Sequence, residues 1–322
     1  MGAAVVILAL GLLYGGLQWL DRQDLKPETR GDYHLRYEDE QITLNGVTYR
    51  QRTNLTTILF MGVDKASDSS SLFMNYRNGG QADFLRLMVI DAAEKTVTQI
   101  QIDRDTITPV TTYGVLGNVS GVKPMQITLS HSFGDGKQMS CELTVDAVSN
   151  LLFNVPIGYY AALNLDGISV LNDAVGGVTV EIADDFSHVD PTMVQGTTMR
   201  LMGDQAEYFV RSRHSMAVGT NEARMVRQQT YISQLIELMN EKIHSDKEFI
   251  GTLFDTLDTY MVTNMSRAQI INDAWKARDY ERRPLVEIAG THTVGATGFM
   301  EFHVDEEALE KTVLDIFYKV VK

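Results

Sequence analysis

Cysteine is almost absent from this chain, which has 322 residues and a single cysteine, Cys141. One cysteine excludes an intramolecular disulfide and any metal site built from several thiolates, so the fold must be stabilised by its hydrophobic core. Basic residues are also scarce, since 28 Lys and Arg stand against 42 Asp and Glu, for a formal net charge of −14. Proteins that bind duplex DNA normally have a basic face, and this balance therefore argues against a nucleic-acid partner.

Several catalytic motifs are missing as well. The sequence has no Gly-x-x-x-x-Gly-Lys-Ser/Thr loop and no Gly-x-Ser-x-Gly elbow, so neither a P-loop NTPase nor a serine hydrolase has support. It has no His-x-x-x-His pair, a pattern that would indicate zinc. His131 and His214 are available as bases, although a single histidine is more often structural than catalytic.

The longest hydrophobic run lies at the start of the sequence. Gly2–Leu20 carries no charge and would be about 28 Å long as a helix, close to the ~30 Å hydrocarbon thickness of a bilayer. Trp19 suits a membrane interface, and neither a basic start nor a small-residue cleavage site indicates a signal peptide. We therefore expect a transmembrane anchor at residues 1–20, a linker at 21–40 and a folded extracytoplasmic domain at 41–322. A cleaved signal peptide and a buried core helix are the alternatives.

Strand and helix patterns alternate along the rest of the chain. Residues 41–50 alternate in polarity around Asn45-Gly46 and predict a β-hairpin. Other strands are predicted at 58–61, 85–90, 97–102, 159–163, 178–182 and 285–289, and helices near 141–153, 203–211, 221–243, 246–261, 266–278 and 305–320. A further helix is predicted to start at an Asp166 cap and to end at Gly176-Gly177. This alternation predicts an α/β fold, a three-layer α/β/α sandwich with a central mixed sheet.

Charged residues lie at the ends of three predicted strands. Asp64 follows the strand 58–61, Asp83 precedes the strand 85–90, and Arg104 and Asp105 follow the strand 97–102. Open α/β sheets bind their ligands at such strand ends, and we therefore expect a shared rim. A solvated loop is the alternative for any one of these residues. Two carboxylates beside arginines are typical of a site for a metal-bound pyrophosphate, because Mg²⁺ takes one or two carboxylates together with phosphate oxygens.

Positive charge is concentrated between residues 208 and 229. This segment contains Arg211, Arg213, Arg224 and Arg227 and no lysine. A guanidinium matches two oxygens of a phosphate at once, so the choice of arginine favours an oriented oxyanion. Gln228 lies four residues after Arg224 and shares its helix face. Arginines that neutralise carboxylates on an acidic surface are the alternative.

Taken in order, these residues resemble the LytR-CpsA-Psr family between about residues 55 and 240. The resemblance is carried by Gly62-Val63-Asp64-Lys65, Ala82-Asp83, Ile102-Asp103-Arg104-Asp105-Thr106, Leu171-Asn172-Asp173-Ala174-Val175-Gly176-Gly177-Val178, Phe209-Val210-Arg211-Ser212-Arg213-His214, Arg224 and Arg227-Gln228-Gln229. It implies a single-pass protein of the cell membrane with its α/β domain outside. Such proteins transfer a glycopolymer from a polyprenyl-pyrophosphate carrier onto peptidoglycan, and pyrophosphate hydrolysis is an associated activity.

The resemblance also implies roles for individual residues. Asp64 and Asp83 would bind Mg²⁺, or Mn²⁺ in its place. The pyrophosphate would be bound by Arg104, Arg211, Arg213, Arg224 and Gln228.

Three positions depart from the family pattern. Asp103 replaces the usual proline before Arg104, and Thr128 begins a Thr-Leu-Ser-His stretch where the family has Lys-Leu-Asn-His. Asn221 stands where many members have aspartate, and an amide cannot act as a general base. We therefore expect Glu222, or failing that Asp105, to be the catalytic base. A non-catalytic membrane protein that binds polyprenyl phosphate, with a regulatory or scaffolding role, is the second hypothesis.

Overall fold

The structure is a computed structural model that describes residues 41–64, 79–114, 117–212 and 221–321. The expected anchor at residues 1–20 and linker at 21–40 lie outside this part of the chain. Within the described residues, no helix combines the length and the apolar character needed to cross a membrane. The chain divides into two compact units, one made of residues up to Ala162 and from Glu281 onward, the other of Leu163–Tyr280.

Strands of the described residues are β1 (Gln41–Leu44), β2 (Val47–Gln51), β3 (Leu55–Val63), β4 (Ala82–Asp91), β5 (Thr96–Ile102), β6 (Ile107–Tyr113), β7 (Val119–Gln126), β8 (Tyr159–Asn164), β9 (Thr179–Glu181), β10 (Thr198–Arg200), β11 (Met261–Thr263), β12 (Glu281–Arg282), β13 (Val286–Glu287), β14 (Gly290–Val294), β15 (Met300–Val304) and β16 (Tyr318–Val320). The α-helices are α1 (Gln138–Leu151), α2 (Asp166–Ala174), α3 (Asp204–Arg211), α4 (Asn221–Ser245), α5 (Phe249–Leu257), α6 (Arg267–Ala277) and α7 (Glu306–Phe317). A 3₁₀ helix spans Ile127–Phe133.

The first unit opens with the predicted β-hairpin, which is confirmed. β1 and β2 pair antiparallel, and the two turn residues have positive φ angles, 51° at Asn45 and 77° at Gly46. Both residues of a type I′ turn require positive φ, which is why Asn-Gly is favoured there. β16 then pairs antiparallel with β2.

The central sheet of the first unit is mixed. β3, β4 and β5 pair antiparallel, whereas β12 and β13 run parallel to β5. Leu59, Leu85, Leu87 and Ile100 point to one face of this sheet and are fully buried. The predicted α/β class and mixed sheet are therefore confirmed, and the three-layer arrangement stays a prediction.

The antiparallel order explains the shared edge of this sheet. Val63 at the end of β3 pairs with Ala82 at the beginning of β4, and Leu85 pairs with Ile102 at the end of β5. The last residues of β3 and β5 and the first residues of β4 therefore lie at the same edge of the sheet. The residues that follow or precede these points, Asp64, Asp83 and Arg104, are brought to the same place.

The second unit has its own hydrophobic core. Its largest buried side chains include Phe186 and Phe209, whose rings stack with centroids 5.8 Å apart. Asn172 is fully buried, and its side chain binds four partners: it donates to the Leu201 carbonyl and the Asp173 carboxylate and accepts from the Val178 N–H and the Tyr231 hydroxyl. The motif around residues 171–178 thus has a structural role, because an unpaired amide would be costly in this core.

Helix α2 starts differently from its prediction. It begins at Asp166, and Leu165 precedes it as the cap residue without a side-chain hydrogen bond. The Asn164 side chain accepts instead from the Gly167 N–H, at 3.1 Å. The predicted Asp166 cap is therefore wrong, because Asp166 is already inside the helix and Asn164, two residues earlier, binds an N–H group of the first turn.

Candidate functional site

The candidate site lies at the shared edge of the central sheet and begins with Asp64. The Asp64 N–H donates to the Gln81 carbonyl at 3.1 Å, and the Gln81 N–H donates back to the Asp64 carboxylate. Burial raises the pKa of the Asp64 carboxyl, and the negative charge of Asp83 adds to this rise. The Gln81 hydrogen bond, Arg104 and His131 oppose it. Asp64 is thus a carboxylate in a crowded acidic environment that a cation would stabilise.

Arg104 is the cation that holds this edge together. One of its terminal nitrogens pairs with Asp83, its Nε lies 3.4 Å from Asp105, and its other terminal nitrogen lies 3.5 Å from the Gln81 side-chain oxygen. The Arg104 side chain keeps 19% of its surface exposed, and Asp83 keeps 21%. The predicted rim residues Asp64, Asp83, Arg104 and Asp105 are therefore brought together in one cluster. This cluster, with Asp103 and Gln81, is called the rim cluster below.

Asp105 is the most deeply buried carboxylate of the rim cluster, with 5% of its surface exposed. Its Oδ1 accepts from Arg104 and, at 3.1 Å, from the Gln126 side chain. Burial raises the pKa of the Asp105 carboxyl, while the charge of Arg104 lowers it. A carboxylate with a raised pKa is a stronger proton acceptor than an exposed one, which suits the role of alternative base.

Asp103 organises the turn that carries Arg104 and Asp105. Its carbonyl accepts from the Thr106 N–H at 3.1 Å and from the Thr106 hydroxyl at 2.6 Å. Its carboxylate accepts from the Asp105 N–H at 2.8 Å and lies 3.0 Å from His292 Nε2. Sequence reasoning missed His292, because the two residues are 189 positions apart and no motif connects them.

His131, one of the two candidate histidine bases, is a buried structural residue. Its Nδ1 lies 3.2 Å from the Gly80 carbonyl, which also accepts from the Ser132 hydroxyl at 3.0 Å. Burial lowers the pKa of the imidazole, so the ring is neutral at neutral pH. The 3₁₀ helix therefore fixes the Gly79–Gly80 segment next to Asp64. His214 lies outside the described residues.

Cys141 packs against the same histidine and is inert. Its sulfur lies 4.0 Å from His131 Nε2, and burial raises the pKa of the thiol to about 12. Because the thiolate is the reactive form of cysteine, this residue has no nucleophilic role at neutral pH.

The rim cluster fits a metal only together with a phosphate ligand. Within the described residues, no group of three or more His, Cys, Asp or Glu side chains is arranged to hold a metal ion. Asp64 and Asp83 still provide two neighbouring carboxylates, and burial together with the charge of Asp83 raises the pKa of Asp64. Mg²⁺ commonly binds through one or two carboxylates, with phosphate oxygens and water completing its shell. The donor set therefore suits Mg²⁺ or Mn²⁺ held jointly with a bound pyrophosphate.

Candidate phosphate ligands of the second unit are only partly described. Arg211, the last residue of α3, pairs with Glu207 one turn earlier at 2.8 Å and keeps 59% of its side chain exposed. The Gln228 side chain donates to the Val210 carbonyl at 3.1 Å. Arg213 lies outside the described residues, as do the side chains of Glu222 and Arg224, although the backbone of α4 begins at Asn221. Their assignment to the pyrophosphate and to catalysis stays a prediction.

Arg227 has a structural role. Only 5% of it is exposed, and its guanidinium binds Asp184 at 2.6 Å and the Ser212 carbonyl at 2.7 Å. It also lies over the Phe186 ring, 5.5 Å from the centroid. Two interpretations were open for the arginines of the basic segment, binding of an oxyanion and pairing with carboxylates. Arg227 follows the second, because it pairs with Asp184.

Comparison with known proteins gives a family match that spans most of the chain. The sequence model of the LytR_cpsA_psr family matches residues 26–314. A Bacillus anthracis protein named polyisoprenyl-teichoic acid–peptidoglycan teichoic acid transferase TagU is 23% identical over 303 residues, which cover 94% of this chain and 91% of that protein. The Bacillus subtilis protein of the same name is 27% identical over 274 residues, or 84% of this chain and 78% of that protein. A third TagU, from Halalkalibacterium halodurans, is 31% identical over 157 residues, which span 49% of this chain and 44% of that protein.

Solved structures share the fold. The crystal structure of B. subtilis TagV matches with a TM-score of 0.58 at 23% identity, over 82% of this chain and 97% of that chain. A structure described as TagT bound to LI-WTA matches with a TM-score of 0.59 at 18% identity, over 90% of this chain and 98% of that chain. At these identities the likeness establishes the fold alone.

Proposed function

The chain belongs to the LytR_cpsA_psr family, and from this premise we propose that it is a transferase that moves a glycopolymer from a polyprenyl-pyrophosphate carrier onto peptidoglycan. The observation that carries the proposal is the rim cluster, where Arg104 lies among the carboxylates of Asp64, Asp83 and Asp105. This is the residue chemistry that a metal-bound pyrophosphate needs, and several relatives are named for such a transfer.

The proposed reaction is a phosphoryl transfer. A hydroxyl oxygen of the acceptor sugar forms a new bond to the phosphorus that carries the glycopolymer. The bond between this phosphorus and the bridging pyrophosphate oxygen breaks, polyprenyl phosphate leaves, and the hydroxyl proton passes to a carboxylate base. Catalysis of this kind depends mainly on positioning and on charge stabilisation.

Each residue of the rim cluster has a place in this proposal. Arg104 would bind the pyrophosphate oxygens, and the incoming anion would compete with Asp83 for its guanidinium. Asp64 and Asp83 would hold Mg²⁺ or Mn²⁺, which supplies positive charge to the phosphate oxygens when it is bound. Glu222 is the proposed base and Asp105 the alternative; burial raises the pKa of the Asp105 carboxyl and so favours its role as proton acceptor.

For the second unit we propose that Arg211, Arg213, Arg224 and Gln228 bind the pyrophosphate. The support for Arg211 is its accessibility, since 59% of its side chain is exposed and its partner Glu207 lies on the same helix. An exposed pair of this kind contributes little to stability, so the arginine can exchange its partner for a phosphate at small cost.

We also propose that residues 1–20 anchor the protein in the cell membrane, with the folded domain on the extracytoplasmic face. The uncharged run Gly2–Leu20 supports this, as does the apolar carrier of the proposed donor, which resides in a bilayer.

The experiment that tests the function measures release of polyprenyl phosphate from a short-chain isoprenyl-pyrophosphoryl oligosaccharide, with peptidoglycan fragments as acceptor. We expect turnover that requires Mg²⁺ or Mn²⁺, and we expect Asp64→Asn and Asp83→Asn to lower it at least tenfold. Asp255→Asn is the matched control, because it breaks an exposed aspartate–arginine pair with Arg267, 2.8 Å long, outside the rim cluster. Turnover that persists in both rim variants would overturn the proposed roles of Asp64 and Asp83.

A second candidate function is a non-catalytic protein that binds polyprenyl phosphate. One observation favours it: Thr128, which replaces the lysine of the family pattern, is buried and its hydroxyl has no hydrogen-bond partner among the described residues. A cation is thus lost near the Arg104 carbonyl, to which the Thr128 N–H donates at 3.1 Å. Tight binding of the donor without turnover under all metal conditions would favour this function.

A further inference from the structure

We propose that His292 is a positioning residue of the phosphate site, and that protonation of His292 strengthens binding of the donor's pyrophosphate. The inference rests on the proposed function and adds to it a residue that the family motifs do not contain.

The hairpin formed by β14 and β15 binds the turn that carries Arg104 on both sides of this arginine. On β15, the Phe302 N–H donates to the Asp105 carbonyl at 2.8 Å. On β14, His292 pairs with the Asp103 carboxylate at 3.0 Å. His292 and Phe302 face each other across the hairpin, with ring centroids 4.8 Å apart. One hairpin therefore holds both sides of Arg104, through its two neighbours in the chain.

Asp103 gives His292 an electrostatic role as well. Asp103 is the residue that replaces proline beside Arg104, and its carboxylate is 9% exposed. A negative charge next to a phosphate-binding arginine opposes anion binding. A protonated His292 offsets this charge, whereas a neutral His292 leaves it in place. The hydrogen bond to Asp103 can persist in both states, since Nε2 carries a proton in one tautomer of the neutral ring.

Two charged groups of the Arg104 turn lie near His292. The Asp103 carboxylate is 3.0 Å from its Nε2, and Asp105, which pairs with Arg104, is close enough for its charge to interact with that of the imidazole. On the hairpin, the same face carries Phe302, with Met300 and Val304 at the next positions, because side chains alternate along a strand. Glu301 and His303 lie on the opposite face and pair with each other at 3.1 Å.

This second pair provides a matched control. His303 has 48% of its side chain exposed and pairs with a carboxylate, as His292 does with 39% exposed. His303 belongs to the same hairpin but makes its pair away from the turn. If any histidine of this hairpin influenced donor affinity, substitution of His292 and substitution of His303 should change it equally. The proposed effect on affinity should appear only when His292 is substituted.

The test measures the affinity of the full chain for a short-chain isoprenyl-pyrophosphoryl N-acetylglucosamine between pH 5.5 and 8.5. This diester keeps one charge on each phosphate over the whole range. We expect the wild-type affinity to fall by roughly three- to tenfold more than that of His292→Gln as the pH rises, because only the wild type carries an imidazole whose positive charge can offset Asp103. Asp64 and Asp105, whose carboxyl pKa values are raised by burial, are present in both proteins, so His292→Gln retains any contribution that they make.

Two further variants make the outcome decisive. His292→Lys keeps a positive charge at every pH of the experiment, so its affinity should stay near the acid value of the wild type. His303→Gln should reproduce the wild-type profile. A His292→Gln profile identical to that of the wild type would overturn the inference, as would an equal effect of His303→Gln.

The failure of this inference can be told apart from the failure of the proposed function. A wild-type protein that does not bind the pyrophosphate diester at any pH contradicts the function itself. A wild-type protein that binds it with a profile unaffected at His292 contradicts only the role of this histidine. Calorimetry in two buffers of different ionisation enthalpy adds a second readout, because the wild type should take up more protons on binding than His292→Gln does.

Discussion

Arginine has two different roles in this molecule, and the exposure of its side chain distinguishes them. Arg227 is 5% exposed and has fixed partners in Asp184 and the Ser212 carbonyl. Arg104 and Arg211 keep 19% and 59% of their side chains exposed, against 6% for Arg227. A buried pair resists exchange because breaking it leaves an uncompensated charge, whereas an exposed pair exchanges readily. Of these three arginines, Arg104 and Arg211 are thus the ones available to a ligand.

This difference predicts opposite results for two substitutions. Arg227→Met should lower the free energy of unfolding by about 2–4 kcal/mol, because it leaves Asp184 without its partner and removes a buried hydrogen bond to Ser212. Arg211→Ala should cost less than about 1 kcal/mol, since its pair with Glu207 is exposed, but should weaken donor binding. Urea denaturation and a binding titration on both variants separate the two roles. A stable Arg227→Met protein would contradict the structural role of Arg227.

Asp64 leads to a prediction about pH. Its carboxyl pKa is raised, chiefly by burial, so the folded state binds this proton more tightly than the unfolded state does. The resulting stabilisation is present at acid pH and is lost as the pH rises through the raised pKa. Asp64→Asn removes the ionisation while its amide oxygen can still accept from the Gln81 N–H. Its stability relative to the wild type should therefore increase as the pH rises from 4 to 7.

The measurement for Asp64→Asn is urea denaturation at both pH values, repeated with Mg²⁺ and inorganic pyrophosphate. These ligands should stabilise the wild type, because they bind the folded state, and should stabilise Asp64→Asn much less. A constant stability difference across pH, with equal stabilisation by the ligands, would show that Asp64 neither titrates in this range nor contributes to binding.

At the scale of elements, the sequence predicts the strands that form the site, β3, β4 and β5. It does not predict the hairpin of β14 and β15 that supports the site. β3 contains the continuous apolar run 58–61, and β5 alternates in polarity. Charged residues lie beside the ends of β3 and β5 and the beginning of β4, and this pattern predicts both the sheet and its polar edge. β14 has all its residues exposed, so it lacks the alternation of buried and exposed positions that marks a strand. Its link to the site, between His292 and Asp103, depends on tertiary packing and leaves no local signal.

The segment before β4 gives an element-scale prediction. Gly80 has φ of +76°, and a Cβ there would collide with the Asp64 carbonyl oxygen and lie 3.0 Å from its Oδ1. Gly80→Ala should therefore destabilise the protein by roughly 2–4 kcal/mol, displace Asp64 and lower turnover at least tenfold. Gly46 has nearly the same φ, +77°, with nothing within 4 Å of the added atom.

Gly46→Ala is thus a matched control for the backbone strain alone. It should cost about 1–2 kcal/mol, the penalty for a side chain in the left-handed region, and leave turnover unchanged. Thermal melting and the transferase assay on both variants provide the comparison. Equal losses of turnover in the two variants would mean that contact with Asp64 is not what makes Gly80 necessary.

At the scale of the whole molecule, the chain forms two compact units, and residues 163–280 are inserted into the sequence of the first. From the sequence, residues 41–322 are predicted to form one domain. The division between the two units falls inside the strand β8 and at the start of β12, where the composition of the sequence does not change. Linkers rich in Pro, Gly or polar residues usually mark such boundaries. Composition therefore predicts the fold class of this protein but does not reveal an insertion whose ends lie at strands.

The proposed anchor leads to the last prediction, which concerns the whole chain. The family match begins at residue 26, after the uncharged run at 2–20, so removal of residues 1–20 should leave the folded part intact. The shortened protein should transfer from a water-soluble short-chain donor at a rate within about twofold of the full chain. With a long-chain donor in lipid vesicles its rate should fall at least tenfold, because anchoring in the same membrane raises the effective concentration of the donor by orders of magnitude. An unrelated transmembrane helix in place of residues 1–20 should restore that rate. Equal rates of the shortened and full chains on vesicle-bound donor would show that these residues do not act as an anchor for the reaction.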